Sequence, residues 1–182
     1  MTRTSREDWI EEGFRILEEE GDAALTVEAL CERIGRTKGS FYHHFRGRDG
    51  YVDALLEAWE RRSTDQLIES VEAEGSVEER LRRLNHRASE EGSPRLERAV
   101  RAWAAREPRA RETQERVDRR RLDFLEDLME ERMGQGESAR RLARVFQLVF
   151  VGAQHLDPPF EGAELYRTFR FLDPLLERGG RV

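Results

Sequence analysis

Residues 33–48, RIGRTKGSFYHHFRGR, hold five Lys or Arg cations, one tyrosine, two adjacent histidines and no carboxylate. Residues 1–32 carry ten carboxylates against three such cations, and the whole chain has a formal charge of −6. Lys38 is the only lysine. A cationic island in an acidic chain suits one kind of partner above others, a phosphate backbone. Thr37, Lys38 and Ser40 place two short hydroxyls and an ammonium at what reads as a helix start. From there they can reach base edges or phosphates, and the free backbone amides of a helix start also favour phosphate. Gly39 among them lets the backbone approach a partner closely. His43 and His44 point about 100° apart on a helix and are poorly placed to chelate one ion. DNA contact is the better use for them, with His44 on phosphate and His43 near bases.

Other chemistries have no matching residues. There is no zinc-protease motif, Walker loop, dinucleotide fingerprint, nucleophile elbow or acid–base pair, so neither an enzyme nor a metal or cofactor is expected. The single cysteine, Cys31, excludes an intrachain disulfide and a cysteine-rich zinc site. No apolar signal core opens the chain and no run of about 18 apolar residues occurs. The expectation is a cytoplasmic protein with no membrane partner.

These side chains need positioning, and the hydrophobic periodicity supplies helices throughout. Helices are expected at about 5–20, 27–34, 37–44, 48–74, 76–90, 94–106, 108–133, 137–155 and 162–177. Glycines 21, 35, 75, 92 and 134 mark helix ends. Capping boxes are read at Thr4–Glu7 and Ser76–Glu79, and Ser93–Pro94 reads as a further start. In the first three helices Ile10, Phe14, Leu17, Val27, Leu30, Cys31, Ile34, Phe41 and Phe45 recur on inward faces. Two short helices about a glycine turn, preceded by a third, make a helix-turn-helix unit whose second helix enters the major groove. The plainer alternative is a solvated basic patch beside an aromatic core.

The stretch LTVEALCERIGRTKGSFYHHFRGRDGYVDALLEAWE resembles the DNA-binding signature of the TetR family of bacterial transcriptional regulators. The match runs through a Thr-capped helix, a glycine turn, a Thr-Lys-Gly-Ser start, an aromatic-Tyr-x-x-Phe run and a basic residue opening the next helix. RLERAVRAWAAREPRARETQERVDRRRLDFLEDLMEERMG resembles, more weakly, a regulatory domain of one branch. The resemblance implies an all-α homodimer with a helix-turn-helix DNA-binding domain at 1–47 and a ligand-binding and dimerisation domain at 48–182. It implies double-stranded operator DNA as partner and release by an unknown small-molecule effector. It also implies phosphate contacts from Thr26, Tyr42 and Arg48. Arg36 stands where the family has a small apolar residue, so it is an extra DNA contact or a solvated turn residue. Gly50 stands where leucine is common.

In the C-terminal part, Trp59, Trp103, Phe124, Met129, Phe146 and Phe150 are apolar candidates for a ligand pocket, with His86 and Arg106 as polar ones. Residues 145–153 are apolar on nearly all sides and need cover on more than one face. Together with the last helix they predict a dimer seam of Leu142, Val145, Phe146, Val149, Phe169, Leu172 and Leu176. The competing function class is a helical ligand-binding or adaptor protein whose basic patch meets an acidic protein.

Overall fold

A computed structural model describes residues 4–73 and 75–178, with side chains up to residue 173. The described residues are all-α. The helices are α1 Arg6–Glu20, α2 Val27–Ile34, α3 Lys38–His44, α4 Gly47–Glu60, α5 Gln66–Glu72, α6 Val77–Glu90, α7 Pro94–Ala104, α8 Pro108–Met133, α9 Glu137–His155 and α10 Gly162–Arg178. A 3-10 turn, Asp22–Ala24, follows α1, and a π turn, Arg61–Asp65, separates α4 from α5.

The chain divides into two compact units. The first is Met1–Arg61 with Arg95–Gln114, and the second is Arg62–Pro94 with Glu115–Val182. The first unit therefore runs past residue 47 to include α4 and α7.

In the first unit α1 packs on α2 and α4, and α2 packs on α3. The centre is aromatic. Trp9 and Tyr51 each lie 5.4 Å from Phe41 between ring centroids, and Phe45 meets Tyr51 edge-on at 4.9 Å. Each such ring, fully buried, contributes about 1.5–3 kcal/mol. The Tyr51 hydroxyl donates to the Trp9 carbonyl at 2.9 Å, and burial raises its pKa, so it stays a neutral donor. To get there it crosses α1 at Gly13, where a Cβ would stand 2.0 Å from the hydroxyl oxygen. Arg109 of α8 pairs with Asp49 at 3.2 Å and Asp53 at 3.5 Å on α4, and Arg106 pairs with Asp22.

In the second unit α6 packs on α5 and α10, and α10 on α9. Leu81, Leu84, Leu128, Met129, Phe146 and Phe169 form much of its core. The rings of Phe146 and Phe169 stack 5.7 Å apart. Arg83 donates to the carbonyls of Ser70, Val71 and Ala73 at 3.1–3.2 Å, groups that a helix end leaves without intrahelical partners.

Several expectations are corrected here. The first capping box is Ser5–Asp8, with Ser5 at the N-cap and both reciprocal bonds made. Thr4 instead accepts a bond from Arg36. Gly92 is not a left-handed cap, because α6 ends on Glu91 in right-handed conformation and Gly92 has no positive φ. The expected helix at 48–74 is broken by the π turn. Arg121 of α8 holds that turn by donating to the Thr64 hydroxyl at 3.0 Å and the Ser63 carbonyl at 3.1 Å. Arg120 pairs with Asp65 at 2.8 Å.

The expected dimer seam is also corrected. Leu142, Phe146 and Phe169 are buried in the chain's own core, so they are not free to face a second subunit. Among the described residues, Val145, Leu148 and Phe171 are the large exposed apolar side chains of α9 and α10, with Val149 and Leu172 half-buried. The side chain of Leu176 lies outside the described residues.

Candidate functional site

Phe41 and Phe45 are four apart on one side of α3 and are buried, so the opposite side of this helix faces out. Thr37 is its N-cap, its hydroxyl accepting from the Ser40 amide at 3.3 Å. Thr26 plays the same part for α2, accepting from the Ala29 amide at 3.1 Å. Of the ten predicted DNA-facing residues, Thr26, Thr37, Lys38, Gly39, Tyr42, His43 and Arg48 are exposed, while Arg36, Ser40 and His44 are half-buried. Tyr42 is 56% exposed although its ring meets Phe41 edge-on.

Gly39 has an ordinary backbone, and a Cβ there would meet only the Thr37 hydroxyl, at 3.7 Å. Nothing within the chain requires glycine at that position. Gly13, by contrast, is fixed by the Tyr51 hydroxyl above it.

The cations of the basic island take different roles. Arg33 turns onto α1, at 3.1 Å from Glu12 and 2.7 Å from Glu19, and these bonds hold its guanidinium more firmly protonated. It fastens α2 to α1. Arg36 donates to the Thr4 hydroxyl at 2.6 Å. Lys38 pairs with Glu28 in the first turn of α2. The hydrogen bond to Lys38 lowers the Glu28 pKa, and the same bond raises that of Lys38. His43 and His44 stack edge-on at 5.2 Å. Among the described residues no group of three or more His, Cys, Asp or Glu is placed to hold a metal.

The second unit holds a partly open cavity of about 60 Å³. Three of the expected pocket residues, Phe124, Phe146 and Phe150, line it, with Phe169, Leu67 and Ile68. The other five do not. Trp59 and Trp103 are 2% exposed in the first unit, and Arg106 of that unit is exposed and paired to Asp22. Met129 is fully enclosed in the second unit's core. His86 is exposed and meets Tyr166 edge-on at 6.1 Å beside a separate groove.

Sequence reasoning missed the cavity's polar groups: Thr64, Asn85, Arg121 and Gln147. Arg121 is 8% exposed, and its guanidinium carbon lies 5.4 Å from the centre of the Phe150 ring. It ends a run of three arginines, Arg119, Arg120 and Arg121, which reads as a solvated face. Thr64 sits in the equally polar run RRSTD. The one available signal was that Arg121 falls three residues before Phe124 and four before Leu125, on their side of α8.

Residues 10–55 match the profile of the bacterial regulatory proteins, tetR family. Over 87 residues the chain is 33% identical to the transcriptional regulator AcuR of Cereibacter sphaeroides, covering 47% of this chain and 39% of that protein. The chain thus spans about two fifths of the length of this curated relative. A transcriptional regulator of Rhodococcus sp. Rha1 superposes with a TM-score of 0.77 at 19% identity, covering 98% of this chain and 99% of that one. The reduced form of Escherichia coli NemR gives 0.71 at 22% identity, covering 95% and 94%. At these identities the likeness to the solved structures concerns the fold.

Proposed function

We propose, from the match of residues 10–55 to the profile of the bacterial regulatory proteins, tetR family, that the chain is a sequence-specific DNA-binding transcriptional regulator of that family, a repressor released from its operator by a small molecule. The observation that carries this reading is the outer side of α3, where Thr37, Lys38, Gly39, Tyr42 and His43 are all exposed above buried Phe41 and Phe45. Lys38, Arg48, Thr26 and the Tyr42 hydroxyl take phosphates, which set position. Gly39, Ser40 and His43 come nearest the bases, where sequence is read. His44 and Arg36 sit at the margin. The functional division is DNA contact by residues 1–47 with Arg48, and effector binding and dimerisation by the remainder.

The protein acts as a homodimer through α9 and α10, whose exposed Val145, Leu148 and Phe171 form an apolar patch for a second copy. A two-fold dimer places two α3 helices on half-sites about one DNA turn apart, so the operator is a near-palindrome. The effector enters the cavity of the second unit.

Selection from a random-sequence duplex library, followed by titration of the enriched duplex, tests the reading. Enrichment of a near-palindrome supports it. Recovery of no preferred sequence overturns it.

A further inference from the structure

We infer that the cavity of the second unit takes a compact, mostly apolar molecule bearing one oxygen acceptor, which Arg121 binds with the same guanidinium that holds the π turn. The inference deepens the effector reading above and rests on it.

Four segments each bring one polar group to a cavity otherwise walled by phenylalanine, leucine, isoleucine and alanine. Thr64 comes from the π turn, Asn85 from α6, Arg121 from α8 and Gln147 from α9. The wall has room for an apolar body and little for a second polar end. Asn85 is 4% exposed and lines the cavity with a side-chain amide that can both donate and accept. Arg121 supplies the charged donor. A guanidinium has five N–H groups and no acceptor, so its natural ligand atom is an oxygen, and a bond to it is charge-assisted.

The position of Arg121 gives the binding a consequence. Its Nε and Nη2 already donate to the Thr64 hydroxyl and the Ser63 carbonyl. A π turn interrupts the i→i−4 ladder, and an inserted side chain sustains such an interruption. A ligand oxygen competes for these donors. The turn follows directly on α4 in the chain, so a change in its winding passes into the helix that carries Tyr51 and Asp49.

Three probes with the same ring separate the possibilities: acetophenone, with a neutral carbonyl; benzoate, with a carboxylate; and ethylbenzene, with no acceptor. Binding to the full chain is measured by saturation-transfer NMR. At least one oxygen probe should bind about tenfold tighter than ethylbenzene, the worth of one good hydrogen bond. Which of the two binds tells whether the oxygen is anionic or neutral. Arg121→Met should erase the preference, and Arg121→Lys, which keeps the charge but not the forked donors, should retain part of it; if the Met variant does not fold, Ala88→Phe carries the test. Ala88→Phe, which fills the cavity, should abolish binding and leave recognition of the selected duplex intact. Saturating oxygen probe should weaken wild-type duplex binding about tenfold, within the usual range of coupling. Equal binding of all three probes, binding of none, or an unchanged duplex affinity overturns the inference. Failure of the duplex itself to be recognised sinks the regulator reading separately.

Discussion

At the residue scale the pairing of Lys38 with Glu28 bears on the phosphate contact proposed for Lys38. Both groups are solvent-exposed, and each stabilises the other's charge. Glu28→Gln removes both the competitor and a like charge facing the phosphates. The expected result is a rise of roughly two- to fivefold in duplex affinity, in keeping with the modest strength of exposed ion pairs. Fluorescence anisotropy against labelled duplex checks it, and weaker binding would mean that Glu28 positions Lys38. Tyr42→Phe should cost roughly 1 kcal/mol of affinity, alike on selected and random duplex, because a phosphate bond carries no sequence information. An unchanged affinity removes the hydroxyl from the interface. The outward side of α3 was legible because Phe41 and Phe45 fix its inner side, which leaves Lys38, Tyr42 and His43 exposed. Arg33 was not. Its inward turn depends on Glu12 and Glu19, which the sequence separates from it by a helix and a turn.

At the scale of elements the crossing of α1 and α4 depends on an absent side chain. Gly13→Ala puts a methyl group into the Tyr51 hydroxyl, and overpacking of this kind costs about 1–3 kcal/mol. Chemical denaturation should show that loss. Adding Tyr51→Phe should return part of it, a non-additive pair of the sort contacting residues give. If the two losses simply add, the clash is not their link. The cap at Ser76 makes a statement about pH. The Ser76 backbone amide, and then its hydroxyl, hold the Glu79 pKa below the usual range. A depressed carboxylate pKa contributes stability above its unfolded value and loses it as pH falls through the folded one. Glu79→Gln should therefore melt below wild type at neutral pH, and the gap should close as pH falls through the lowered folded pKa of Glu79. A gap that persists in acid would trace to packing. Most helices were readable from their stripes and caps. The π turn was not, because Arg61–Asp65 contains no glycine or proline, and its cause is Arg121 on α8.

For the whole molecule, net charge and the basic island oppose each other. An acidic chain binds a polyanion only through a local concentration of cations, so affinity should fall steeply with salt. The log–log slope should be about −0.9 for each phosphate neutralised. A flat plot across several salt concentrations would exclude phosphate contact as the source of binding. Assembly is tested at Phe171, which is 83% exposed. Phe171→Glu should keep the melting temperature of an isolated subunit while light scattering reports a monomer and duplex affinity drops. A variant that remains dimeric places the seam elsewhere. Phe169→Glu does not make this test, because it would bury a carboxylate against Phe146 in the core. The apolar run at 145–151 signalled a need for cover. Its periodicity could not divide that need between the chain's own α10 and a second copy.

The solitary lysine has a practical corollary. A protease that cuts only after lysine has one bond to attack in this chain, Lys38–Gly39, at the opening of α3. Occupancy of the interface becomes a matter of one band becoming two on a gel. Bound duplex should preserve the full-length chain, and an effector that empties the interface should restore the cut. One unlabelled polypeptide would then report its own engagement, with no dye and no second reactive site to confuse the reading.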